Sequence, residues 1–131
     1  MTDRLQPPKV PCGSCPYRAD VPSGIWHRSE YEKLTTYDGE TWEQNPAVFL
    51  CHQKDGCLCG GWLLTHDPRE LLALRLHRQD VAPETFEYNS DVEVFASGKE
   101  AHDHGVRDLD QPSREAWRNM EGLKRLRIRE T

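Results

Sequence analysis

The chain has 131 residues, 36% of them hydrophobic, and a formal net charge of −5. That length fits one domain with a modest core, and the acidic balance argues against wholesale nucleic-acid binding. No apolar run approaches a membrane span and no secretory core opens the chain, so a reducing, cytoplasmic setting without membrane partners is expected.

The elements expected in chain order begin with a polar N-terminal extension over residues 1–10. Pro11-Cys-Gly-Ser-Cys-Pro-Tyr-Arg18 reads as a loop, because prolines flank its cysteines. Ser29, with Glu32 three residues on, predicts a capped helix to about Tyr37, stopped by Asp38-Gly39. Ala47–Cys51 is a short apolar run of undecided type, and His52–Gly61 forms a second cysteine loop. Asp67, Pro68 and Glu70 carry the signature of a helix start, and the leucines that follow at 71, 72, 74 and 76 predict burial on more than one side. Val92–Phe95 suggests an extended segment, and Ser97–Gly105 a short helix with a glycine stop. A last helix from Pro112 or Ser113 places Trp117, Met120, Leu123 and Leu126 on one stripe. Trp26, Trp42, Trp62 and Trp117 are candidates to bury large areas. The expected fold is a mainly α, small single domain with long loops: a metal-binding domain over 11–111 and a basic amphipathic helix over 112–131. Its two cysteine loops would converge on one metal centre.

Five cysteines is an odd number, so disulfides alone cannot account for them. The pattern is Cys-x2-Cys at 12 and 15, then Cys-x5-Cys-x-Cys at 51, 57 and 59. Two loops offering soft thiolates are the general design of both zinc and iron–sulfur sites. Pro16 directly after Cys15, the missing second Cys-x2-Cys, and the small residues Gly13, Ser14, Gly60 and Gly61 favour a cluster over zinc. Cys57 and Cys59 stand too close for both to bind one iron, and the Gly-Gly-Trp after Cys59 makes it the ligand. The expected ligands are therefore Cys12, Cys15, Cys51 and Cys59, with an iron–sulfur cluster of [4Fe-4S] type as cofactor and zinc as the alternative. A dithiol redox motif at Cys12–Cys15 lacks the strand–helix context it needs.

Arg18 can offset the charge of a thiolate-ligated cluster or form an ordinary salt bridge. His52 and His66 are candidates for hydrogen bonds around the centre or for replacing a cysteine. Gly60 and Trp62 would line it, and Tyr17, Trp26 and Trp62 would shield it from water. The tail from Arg114 holds six basic residues against three glutamates, which leaves −8 for the rest of the chain. That tail can meet an acidic protein or a phosphate backbone, although cations near a helix C-terminus need no partner. No signature of a catalytic site is present. A redox-sensing or regulatory protein is the expectation, and a zinc-stapled binding module the alternative.

The segments Pro11–Trp26, Phe49–Gln53 and Cys59–Trp62 resemble a family of small actinobacterial and actinobacteriophage proteins without an established activity. The likeness runs from about Pro11 to Gly105 and includes Leu71–Leu76 and Phe95–Gly98. Its pattern implies Cys12, Cys15, Cys51 and Cys59 as the ligand set and is loose at Cys57. Members carry Cys-His just after the Gly-Trp, where this chain has Thr65-His66. The combination of four cysteines, a Gly/Trp turn and a basic tail is also similar, part by part, to WhiB-like iron–sulfur regulators.

Overall fold

A computed structural model describes residues 4–53 and 56–130, without the side chains of 125–130. Five α-helices lie along the chain: α1 Arg28–Leu34, α2 Gly60–Thr65, α3 Leu72–Leu76, α4 Gly98–Arg107 and α5 Arg114–Glu130. Short 3-10 turns and isolated β-bridges join them among the described residues, so the protein is a small, mainly α domain.

Helix α1 starts two residues earlier than the Ser29 cap implies, with His27 as its N-cap. The His27 ring accepts the Ser29 N–H at 3.1 Å, and the helix tightens into a 3-10 turn over Thr35–Tyr37. Asp38, expected only as a stop, has a larger task. Its carboxylate accepts the N–H groups of Gly98 and Lys99, each at 2.8 Å, and so caps α4 from a distant part of the chain.

Helix α4 runs past Gly105 to Arg107. Gly105 is not a stop: a Cβ there would strike the Tyr31 ring, and one at Gly98 would strike the Leu34 carbonyl. These two glycines, seven residues apart, let α4 lie directly on α1. His104 donates to the Val21 carbonyl at 2.7 Å while His102 contacts Asp103, so the pair does not converge.

The predicted helix after Asp67 is broken. Asp67 does cap a turn by accepting the Arg69 N–H at 3.0 Å, but Leu71 is extended (φ −78°, ψ 119°) before α3 begins. The Gln44 side chain explains the break, because its carbonyl takes the Leu72 N–H at 2.9 Å. Leu71, Ala73 and Leu74 enter the core, whereas Leu76 is 59% exposed.

Helix α5 packs Ala116, Met120 and Leu123 against Val21, Ile25 and Trp26. Trp117 falls outside this stripe and is 56% exposed; Trp42 is 77% exposed, and of the four tryptophans only Trp62 is fully buried. The spacing i, i+4, i+7 starting from Ala116 matches the 3.6-residue period, with alanine allowing a close approach. Leu126 and the basic side chains at 125, 127 and 129 lie outside the described side chains.

Extended pairings tie the loops together. Arg18 bridges Val94, Leu50 bridges Leu58, and Leu5 and Gln6 bridge Val81 and Cys57.

Candidate metal centre

The first cysteine loop is a run of tight turns. The Cys15 N–H donates to the Cys12 carbonyl and the Arg18 N–H to the Cys15 carbonyl, each at 3.0 Å. Trp26 Nε1 holds the Ser14 carbonyl at 2.9 Å, and Gln53 Nε2 holds the Ser14 hydroxyl at 2.6 Å, so the second loop is tied to the first. That second loop is a narrow hairpin. Cys51 N–H donates to the Cys57 carbonyl at 2.8 Å and Cys59 N–H to the Phe49 carbonyl at 2.9 Å. Gly56 turns it with φ +75°, a conformation that favours glycine. Cys59 then leads into α2, an element absent from the sequence expectation.

The fold brings together the four cysteines expected as ligands. Cys15 Sγ lies 3.6 Å from Cys59 Sγ, and Cys12 is in side-chain contact with both Cys15 and Cys51. No disulfide joins any of the five cysteines. Among the described residues no three His, Cys, Asp or Glu side chains are arranged to hold a single metal ion.

Cys12 and Cys15 are both pushed toward the neutral thiol. At Cys12 the hydrogen-bonded Cys15 thiol raises the pKa, contact with Cys51 opposes it, and burial adds to the rise. At Cys15 contact with Cys12 lowers the pKa, but the Cys59 thiol and burial outweigh it and the result is well above the ordinary value.

The surroundings are close-fitting. A Cβ on Gly61 would lie 2.5 Å from Cys15 Sγ and 2.5 Å from Tyr17 Cβ; one on Gly60 would lie 2.7 Å from the Tyr88 hydroxyl. Only glycine at 61 allows α2 to approach the first loop this closely. Trp62 is fully buried, edge-on to Tyr37 at 5.2 Å. Tyr17 sits edge-on to Phe49 and His66, each at 5.9 Å.

Arg18 makes a two-pronged pair with Asp20, both contacts at 2.8 Å, and donates to the Pro11 carbonyl at 3.0 Å. It thereby braces the first loop, within electrostatic reach of Cys15 and Cys12. The His52 ring packs on Trp26 at 4.6 Å and lies 3.8 Å from Glu30. His66 is committed elsewhere: its Nδ1 meets the Trp62 carbonyl at 2.9 Å and its Nε2 meets Asp38 at 3.1 Å. With both nitrogens facing acceptors, neither serves as a metal donor.

Sequence reasoning missed Tyr88. Its hydroxyl is buried with no hydrogen-bond partner. Burial first, then the nearby Cys59, Cys15 and Cys51, pushes its pKa up to about 12. Nothing in the sequence marks this position, because 29 residues separate Tyr88 from the nearest of those cysteines.

No described helix is long and apolar enough to cross a membrane. A profile described as a family of unknown function, DUF6283, matches residues 7–127, so the chain belongs to that family. No curated protein and no solved structure matches the chain significantly.

Proposed function

We propose that this member of the DUF6283 family is a small iron–sulfur protein with a redox-sensing or regulatory role, its cluster held by Cys12, Cys15, Cys51 and Cys59. The observation that carries the reading is the group of contacting thiols drawn from two loops that are 35 residues apart. Soft thiols are the donor set that iron–sulfur clusters take.

A single tetrahedral ion with sulfurs at about 2.3 Å needs all four sulfurs mutually about 3.8 Å apart. An iron–sulfur cluster instead takes its thiolates on separate irons, so the contacting thiols would part to admit it. When bound, such a cluster supplies one-electron redox chemistry or sensitivity to oxidants. Arg18 braces the loop that carries two ligands, Gly61 admits α2 to their side, and Trp62 with Tyr17 excludes water.

Zinc is the second reading, favoured by the 3.6 Å separation of Cys15 and Cys59, which is close to a tetrahedral edge. A reducing cytoplasm is where such thiols stay free, and actinobacterial kinship with a part-wise likeness to WhiB-like regulators fits a regulatory role. The exposed Arg114, Arg118 and Lys124 on α5 would meet an acidic protein or nucleic-acid partner.

Protein purified without air should be brown and contain iron and inorganic sulfide. Colourless protein with one zinc per chain would establish the second reading instead. Alanine at 12, 15, 51 or 59 should abolish loading, while Cys57→Ala should load normally; equal damage from Cys57→Ala would overturn the ligand set.

A further inference from the structure

A cavity of about 850 Å³ shares no lining residue with the cysteine centre. Four arginines converge on it, although the chain as a whole is acidic. The broken helix described above is what gathers them. Arg69 comes from the 3-10 turn Pro68–Glu70, Arg75 from α3, and Arg78 from the 3-10 turn Arg78–Asp80. Arg4 arrives from the N-terminal segment, held in place by the Leu5 N–H on the Asp80 carbonyl and the Ala82 N–H on the Leu5 carbonyl, each at 2.8 Å.

Arg75 is oriented by its own bonds, from Nε to the Arg69 carbonyl at 2.8 Å and from Nη2 to Glu70 at 3.3 Å. Arg4, Arg69 and Arg78 make no ion pair among the described residues. Glu87 is the one carboxylate in the lining, so positive charge dominates the cavity. Gathered guanidinium groups raise one another's energy unless an anion joins them, and their planar forks match phosphate oxygens two at a time.

The cavity also has an apolar side. Leu74 and Val81 are fully buried beneath it, and the part-buried Phe86 ring carries the Arg78 guanidinium 5.7 Å from its centroid. A cationic rim over an apolar, aromatic floor suits a ligand with phosphates at one end and a flat ring at the other. The volume falls in the range of small-molecule sites.

We infer that this cavity is a binding site for a free nucleotide, with Arg4, Arg69, Arg75 and Arg78 receiving the phosphates and the part-buried Phe86 ring receiving the base. Calorimetric titration of the full chain with ADP should show one site per chain, weakening as salt rises. Arg69→Ala and Arg78→Ala, both at exposed positions, should each weaken ADP binding by at least about tenfold with an unchanged melting temperature. Phe86→Leu should weaken ADP while sparing pyrophosphate, which should itself bind more weakly than ADP. The inference is overturned if folded protein shows no saturable ADP binding up to millimolar concentration, or if the arginine variants bind as the parent does. Pyrophosphate binding as tightly as ADP would also overturn it, as would binding of a single-stranded oligonucleotide without ADP binding.

Discussion

Replacing Gly61 with alanine tests the geometry of the cysteine centre. The new Cβ would sit 2.5 Å from Cys15 Sγ and 2.5 Å from Tyr17 Cβ. Relaxed carbon contacts lie near 3.5–4.0 Å, so α2 or the first loop must move by about 1 Å. Neither neighbour can swing away, because Cys15 and Tyr17 are fully buried and the Tyr17 atom struck lies next to its backbone. Overpacking of this kind costs about 1–3 kcal/mol, and removing a helical glycine returns part of that, leaving a net loss of about 1–2 kcal/mol. For a chain of this length the melting temperature should fall by about 3–8 °C. Thermal unfolding followed by circular dichroism, with metal content measured in parallel, reads both effects. Gly13→Ala in the same loop is the control: nothing lies within 4 Å of its Cβ, so its stability should stay within about 0.5 kcal/mol of the parent. A Gly61→Ala protein that melts and loads metal like the parent would refute the close approach of α2 to Cys15.

Asp38→Ala removes the acceptor for the Gly98 and Lys99 N–H groups and the partner of His66. It should cost about 2 kcal/mol in urea unfolding while leaving metal loading intact, and unchanged stability would show that α4 is capped by other means. Burial raises Tyr37 and Tyr88 from 10.0 to about 12, so the folded state keeps protons that the unfolded chain releases between those values. Stability of the metal-free protein should therefore decline as pH rises through this window, with the raised Cys12 and Cys15 adding to the decline from their ordinary value of 9.0. The urea midpoint should be lower at about pH 11 than at about pH 8, and equal midpoints would contradict these shifts. Tyr88→Phe removes a buried hydroxyl that has no partner, so the fold should persist. If that hydroxyl donates to a cluster ligand, the reduction potential of the loaded protein should move to more negative values; an unchanged potential would separate Tyr88 from the centre.

Much of the site is legible in the chain because its chemistry is local in type. Cysteine is the soft donor, Pro11 and Pro16 keep the first pair in a loop, and the Gly-Gly step after Cys59 allows a close approach. The mainly α class is legible similarly in the Ser97–Gly105 segment and in the apolar stripe of α5. Where expectation and structure part, a distant group has intervened. Gln44 captures the Leu72 N–H and splits one helix into a turn and α3. Tyr31 needs the bare face of Gly105, so a glycine that looks like a stop lies inside α4. Ala116, more than Trp117, faces the core because Val21 and Ile25 leave room for a small side chain.

By itself, then, the sequence determined which side chains are on offer: five thiols in two loops and a basic tail. Tertiary structure alone decided that Cys12 touches both Cys15 and Cys51 and that Cys15 touches Cys59. It also decided that Tyr88 faces them and that four arginines from separate segments share one cavity. The reason is that spacing along a chain constrains only near neighbours. Contacts across 29 or more residues are set by packing, which no local pattern encodes.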